Sequence, residues 1–229
     1  MSKPILVVGD SHTRAFAGNP NFTPMFAGAG KENCFVNEET CAIVQRNLFT
    51  MLEKLKWEGP IMLFYGEPDT RFYLGKGWYP WQATGRDKML FHTFRVRKSF
   101  VRYCKLIEEC RKRYSNQIII LNVTPSSRVN QNKMVDYFNS LLKKYAGRHG
   151  LLFVDINEQV YSDASRVVQK KYEADTVHLN NNIQPLVENV LIKHGLIETS
   201  GFNSSAEWNH EEMMKKFVFD EKFGCYRLP

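Results

Sequence analysis

Short apolar runs that alternate with longer amphipathic segments constrain the fold of this chain more than any other feature. Runs of this length, bounded by glycine, proline or asparagine, are typical of buried strands. Their alternation with helices is typical of a parallel sheet that is covered on both faces. The predicted strands are Ile5–Val8, Phe22–Ala27, Ile61–Tyr65, Gln117–Val123 and Leu151–Asp155, and the predicted helices are Cys41–Trp57, Asp87–Tyr114, Asn130–Tyr145 and Asn180–His194.

This order predicts an α/β fold of three layers (α/β/α), with a flavodoxin-like five-stranded parallel sheet. A length of 229 residues favours one domain over two. We assign residues 1–198 to that domain, with an aromatic insertion at 71–86. Residues 199–229 form a C-terminal aromatic tail, which carries too much apolar surface to leave in water. We therefore expect the tail to pack on the domain or on a partner subunit.

Composition narrows the classes of function. No run approaches the roughly 18 apolar residues of a membrane span, and the stretch Pro4–Val8 is too short for a secretory signal. We therefore expect a cytoplasmic protein. The five cysteines form no CxxC pair, so no structural zinc is expected. The net charge is +7, but the basic clusters lie in helix-like segments without a nucleic-acid recognition motif. This pattern favours solvated outer faces over a nucleic-acid surface.

Polar clusters follow three of these apolar segments: Gly9–His12, Gly66–Asp69 and Asp175–Asn180. In parallel sheets, ligands bind at the edge where the strands end. A serine nucleophile needs a nearby base, and a carboxylate on the other ring nitrogen orients a histidine base. Asp175 and His178 are three residues apart, so one helical turn or a tight loop can place both on one face. The spacing predicts a triad of Ser11, His178 and Asp175, with His12 pointing away from the serine.

The segments GDSH, after the first strand, and DTVHLN, before the last helix, resemble the SGNH/GDSL hydrolase family over about residues 4–195. The resemblance implies that Ser11 is the nucleophile, His178 the base and Asp175 its orienting carboxylate. It also implies an oxyanion hole that uses the backbone N–H of Ser11 and of a glycine. Either Gly28 or Gly30 fits that role, and Gly28 is preferred because it directly follows a strand. No metal or organic cofactor is implied.

The third block of the sequence departs from the family pattern Gly-x-Asn-Asp, because Pro68 stands at the asparagine position. Proline has no N–H and no side-chain donor, so it cannot contribute to an oxyanion hole. GEPDTR resembles a variant block, Gly-Glu-Ile-Asp-Cys-Arg, in which an arginine can reach the site. The aromatic insertion either stacks on sugar rings or packs as a lid, and both interpretations stay open. The candidate substrate-binding residues are Gly66, Asp69, Arg71, Trp78 and Trp81.

The function that these features predict is a serine esterase that hydrolyses an oxygen ester. A small-molecule or carbohydrate ester is expected as substrate, and an O-acetylated carbohydrate is favoured. Two alternatives remain open at this stage: an O-acyltransferase that uses the same triad, and a non-catalytic binding protein that keeps the fold. A nucleic-acid partner ranks below all three.

Overall fold

Five parallel strands form the centre of the molecule. A computed structural model describes residues 3–28, 34–35, 37–71, 85–127, 129–162, 166–205, 209–220 and 225–227. The parallel strands are β1 (Ile5–Gly9), β2 (Phe22–Phe26), β3 (Ile61–Phe64), β4 (Ile118–Leu121) and β5 (Leu152–Val154). They lie in the order β5-β4-β3-β1-β2. This is the flavodoxin-like order, so the predicted fold class is confirmed.

Helices cover both faces of this sheet, because each buried strand has apolar side chains on both sides. In β1, Leu6 and Val8 belong to one core cluster, and Ile5 and Val7 belong to the other. The helices are α1 (Glu38–Leu55), α2 (Glu67–Arg71), α3 (Gly85–Arg113), α4 (Val129–His149), α5 (Asn157–Val160), α6 (Gln184–Lys193) and α7 (His210–Lys216). The first cluster includes side chains of α1, α3 and α4, and the second includes side chains of α5 and α6.

The C-terminal tail adds two antiparallel strands to the sheet. These are β6 (Val218–Asp220) and β7 (Cys225–Arg227), and β7 pairs with β2. The complete order is β5-β4-β3-β1-β2-β7-β6. Phe217 is buried in a small cluster with Ala17 and Phe26. The sheet therefore has two strands beyond the five that were predicted, while the division of the chain at residue 198 stays a prediction.

Capping side chains move two helix boundaries from their predicted positions. Asn37 accepts a hydrogen bond from the N–H of Thr40 at 2.8 Å, so α1 begins at Glu38. Asn180 instead caps a short 3-10 turn, Asn181–Ile183, and α6 begins only after it. Among the described helices, none combines the length and apolar character that crossing a bilayer requires.

Candidate active site

The end of β1 delivers Ser11 to the carboxyl edge of the sheet. Gly9 is wedged against β3, where an added Cβ would lie 1.9 Å from the carbonyl oxygen of Phe64. The chain then turns into a 3-10 segment, Ser11–Phe16. The Asp10 carboxylate caps this turn and accepts the N–H of His12 at 3.0 Å. The glycine allows the close approach to β3 and the aspartate stabilises the turn, so this Gly-Asp pair presents the serine.

Asp175 and His178 lie on a tight loop that precedes α6. A bridge between Glu173 and Leu179 closes the loop, and the N–H of Ala174 donates to the carbonyl of His178 at 2.9 Å. Inside the loop, Asp175 Oδ1 accepts the backbone N–H of Val177 at 2.6 Å and of His178 at 2.7 Å. One carboxylate oxygen thus fixes the loop, which leaves Oδ2 to face the imidazole.

A continuous chain of hydrogen bonds joins the three predicted residues. Ser11 Oγ lies 2.8 Å from His178 Nε2, and His178 Nδ1 lies 2.8 Å from Asp175 Oδ2. Since a carboxylate only accepts, Nδ1 carries the proton, and Nε2 is free to accept the serine hydroxyl. Burial alone would raise the pKa of Asp175, but the hydrogen bonds from His178 and Val177 hold that pKa well below its usual value. The carboxylate is therefore charged at neutral pH and orients the base.

Ser11 and Gly28, whose backbone N–H groups are predicted to form the oxyanion hole, follow neighbouring strands at the same edge of the sheet. Gly28 follows β2 by two residues, and β2 is in register with β1 so that Phe26 pairs with Gly9. In the described part of the chain, no hydrogen bond occupies the N–H of Ser11 or of Gly28. An added Cβ at Gly28 would lie 2.4 Å from the Phe26 ring, so a larger residue would require the ring or the backbone to shift. Gly30, the alternative glycine, lies outside the described residues.

The third block has a structural role in α2 and its surroundings. Gly66 has a φ of +117°, which favours glycine, and Pro68 occupies the first turn of α2, where an N–H is not needed. Asp69 was predicted to contact substrate, but it is fully buried. Its carboxylate accepts the N–H groups of Cys34 and Phe35 and the hydroxyl of Ser99. These internal bonds make Asp69 an anchor for the fold instead.

Three other predicted substrate-binding side chains cannot be placed. The side chain of Arg71, together with Trp78 and Trp81, lies outside the described residues. Whether the aromatic insertion stacks on substrate or packs as a lid therefore stays a prediction.

A buried histidine–carboxylate pair beside the triad was missed by sequence reasoning. The ring of His12 bonds to Asp10 and lies against His178, and the prediction that it points away from Ser11 stays a prediction. The buried carboxylate of Glu67 also acts on His12. The sequence carries no signal for this arrangement, because the contacts depend on a loop that is distant along the chain.

A polar cleft of about 850 Å³ opens beside Asp175, on the side of the loop that faces the tail. Amide and carboxylate side chains dominate its described lining, with one aromatic ring. The described lining residues are Glu173, Ala174, Asp175, Asn180, Asn181, Asn182, Phe202, Ser204, Asn209 and Glu211. Within the described residues, no group of three or more His, Cys, Asp or Glu side chains is arranged to hold a metal ion.

Comparison with solved structures identifies the fold. A GDSL-like lipase from Bacteroides thetaiotaomicron matches with a TM-score of 0.61 at 12% identity, over 85% of this chain and 87% of that chain. The chain has the GDSL hydrolase fold. A member of the lipolytic G-D-S-L family from Veillonella parvula matches with a TM-score of 0.51 at 18% identity, over 83% of this chain and 96% of that chain. An acetyl xylan esterase matches with a TM-score of 0.50 at 14% identity, over 83% and 98% respectively.

Sequence comparison adds no relative to these structural matches. No protein-family model matches the chain, and no curated protein matches it. The structural matches show the GDSL fold, and a fold alone does not determine an activity.

Proposed function

We propose that this protein is a serine esterase that hydrolyses an oxygen ester through Ser11, His178 and Asp175. The observation that carries the proposal is the unbroken Ser11–His178–Asp175 hydrogen-bond chain, with 2.8 Å at each link. Serine is a weak nucleophile at neutral pH unless a positioned base removes its proton. Ser11 and the Asp175–His178 loop come from distant parts of the sequence and meet with that geometry at the ligand-binding edge of the sheet.

The geometry supports a two-step acyl transfer. Ser11 Oγ attacks the ester carbonyl while His178 Nε2 takes the hydroxyl proton, and Asp175 stabilises the resulting imidazolium. The N–H groups of Ser11 and Gly28 donate to the tetrahedral oxyanion. His178 then returns the proton to the departing alcohol, and water repeats the sequence to release the acid and free Ser11.

The third oxyanion donor of the family pattern has no counterpart at Pro68. Losing one such donor typically lowers kcat by about 10²–10³. With two N–H donors instead of three, we expect activated esters to be turned over more slowly than by a site with all three donors. The nucleophile and the base stay in place, so Ser11 should still react with a covalent probe.

The polar cleft beside Asp175 favours a substrate whose alcohol portion is hydrophilic. Its volume lies in the range of about 300–1,000 Å³ that is typical of ligand sites. Amides and carboxylates suit hydroxyl-rich molecules, and the ring of Phe202 can pack on the apolar face of a sugar. An O-acetylated carbohydrate is the substrate class that this lining favours.

The proposal is tested with a fluorophosphonate probe and with p-nitrophenyl acetate on the parent, on Ser11→Ala and on Ser140→Ala. Ser140 is a matched control, because its hydroxyl bonds to the carbonyl of Tyr137 within α4, far from the triad. Labelling and turnover in the parent and in the control, but not in Ser11→Ala, would establish Ser11 as the nucleophile. Equal weak signals from all three proteins would reject catalysis and favour a binding protein of the same fold.

Substrate class and reaction type are separated by a second assay. Acetylated sugars are offered alone and with an excess of a non-acetylated sugar acceptor, and the products are resolved by mass spectrometry. Free acetate alone supports the esterase, whereas acetyl transfer to the added sugar would identify an O-acyltransferase. Preference for long-chain lipid esters over acetylated sugars would reject the carbohydrate assignment.

A further inference from the structure

Both ring nitrogens of His12 face hydrogen-bond acceptors. Nδ1 lies 2.9 Å from Asp10 Oδ1, and Nε2 lies 3.3 Å from the backbone carbonyl oxygen of Val177. A carbonyl oxygen cannot donate, and Asp10 Oδ1 already accepts the backbone N–H of His12. A neutral imidazole has only one N–H, so satisfying both contacts requires the doubly protonated ring. The geometry therefore indicates a buried imidazolium.

The surroundings of His12 suit a positive charge. Its side chain is 1% exposed, and the charged groups around it come from three places in the fold. Asp10 lies on the same turn, Glu67 comes from α2, and the loop contributes His178 with Asp175 behind it. Burial alone would lower the pKa of His12, but the carboxylates of Asp10 and Glu67 raise it above its usual value. Burial alone would raise the pKa of Asp10, but the neighbouring His12 holds the pKa of Asp10 below its usual value.

The same ring touches the loop that carries the base. The centroids of the His12 and His178 rings are 4.7 Å apart. The bond from Nε2 ends on Val177, the residue that precedes His178, while Asp10 lies on the Nδ1 side of the ring. The positive ring thus stands between the Asp10 carboxylate and the loop.

We infer that His12 is a positioning residue for the triad: as a buried imidazolium it holds the 175–178 loop and disfavours protonation of His178. This role rests on the proposed function, in which His178 must begin as the free base. A like charge at close range in a buried site opposes a second positive charge. The charge on His12 thereby favours the neutral form of His178, whose Nε2 can accept the serine proton.

The charge on His12 can be read directly in the parent protein. Nitrogen-15 NMR of histidine-labelled protein distinguishes a protonated ring nitrogen from a bare one, and the chain has 6 histidines to assign. At about pH 8 an ordinary histidine is neutral, since its pKa is about 6.5. We expect both nitrogens of His12 to remain protonated there. A bare nitrogen on His12 at that pH would overturn the inference without requiring any variant to fold.

The effect on His178 is tested by following its NMR titration in three proteins. His12→Gln removes the charge but keeps a donor for Val177, and it leaves the Asp10 carboxylate facing the loop. We expect the proton affinity of His178 to rise about tenfold in this variant. In the Asp10→Asn/His12→Gln double variant both charges are gone, so the titration of His178 should return towards that of the parent. His149→Gln, on the distant α4, should leave His178 unchanged.

An unchanged His178 titration in folded His12→Gln would reject the positioning role. These titrations need no ester, so they are independent of the Ser11→Ala test. If the protein hydrolyses esters, the acid limb of kcat/KM should move with the His178 titration. If the protein proves inactive, the NMR result still decides whether His12 controls the protonation of His178.

Discussion

The substitution Gly28→Ala, which adds a single methyl group, tests whether the Gly28 N–H belongs to the oxyanion hole. An alanine Cβ at this position would lie 2.4 Å from the Phe26 ring, which is itself held under the guanidinium of Arg14. Relief of that clash requires the Phe26 ring or the Gly28 backbone to shift, and a shift of the backbone displaces its N–H. We expect Gly28→Ala to lower kcat for p-nitrophenyl acetate about 10²-fold while KM changes little, because the interaction exists only in the transition state.

The matched control for this substitution is Gly147→Ala. Gly147 lies in α4, and apart from its chain neighbours and the adjacent helix backbone, no heavy atom of the described residues lies within 4 Å of the methyl group that the substitution adds. Alanine is the better helix former, so this variant should keep kcat and gain up to about 1 kcal/mol in free energy of unfolding. If folded Gly28→Ala turns over within about twofold of the parent, Gly28 is not an oxyanion donor, and the role passes to Gly30.

At the scale of elements, buried Asp69 joins three segments. It lies on α2, accepts the N–H groups of Cys34 and Phe35, and accepts the hydroxyl of Ser99 on α3. Burial raises the pKa of this carboxyl to about 7, against the hydrogen bonds that favour its charged form. The unfolded chain would titrate near 3.9. The folded state therefore holds one more proton between about pH 4 and pH 7.

This difference predicts how stability depends on pH. Because the native state binds the extra proton, the free energy of unfolding should fall as pH rises through that window and level off above about pH 7. The full loss is on the order of 4 kcal/mol. Urea unfolding of the parent at a series of pH values should show this slope, and Asp69→Asn should remove its contribution. As a control, Asp155→Asn should keep the pH dependence of the parent. If Asp69→Asn also keeps it, Asp69 is not the group that makes stability fall with pH.

The five parallel strands could be predicted from local pattern, whereas the contacts that depend on tertiary packing could not. An apolar run such as Ile118–Leu121 predicts a buried strand without any information on tertiary contacts. The position of Ser11 just after the end of β1 then follows from a parallel sheet. The bond from His12 to Val177, in contrast, joins positions 165 residues apart. Asp69 looked like a site residue because sequence cannot show which N–H groups fold onto a carboxylate.

The short elements of the tail escaped prediction for a different reason. β6 and β7 have three residues each, which is too few to show a period of two. They exist because β2 presents a pairing edge that β7 can complete. Their position could be inferred only in outline, from the amount of aromatic surface.

At the scale of the whole molecule, Phe217 links the tail to the turn that carries the serine. The guanidinium of Arg14 lies 5.5 Å from the Phe26 ring centroid and 5.4 Å from that of Phe217. The same guanidinium donates from Nη1 to the carbonyl of Ser11 at 3.3 Å. Phe217 is 4% exposed and packs on Ala17. The tail therefore supports the position of Arg14, and Arg14 supports the turn at Ser11.

This linkage predicts that a change in the tail alters both stability and turnover. Phe217→Ala should lower the free energy of unfolding by about 3 kcal/mol, the range for a buried aromatic side chain, and should also reduce kcat, because Arg14 loses one of its two rings. Phe217→Leu should recover most of the stability but less of kcat, since it fills the space without a π face. Phe94→Ala is the control: Phe94 is 55% exposed, and its loss should cost less than about 0.5 kcal/mol. Urea unfolding and p-nitrophenyl acetate kinetics measure both effects. If Phe217→Ala loses stability and keeps the kcat of the parent, the tail supports the fold alone and the path through Arg14 to Ser11 is rejected.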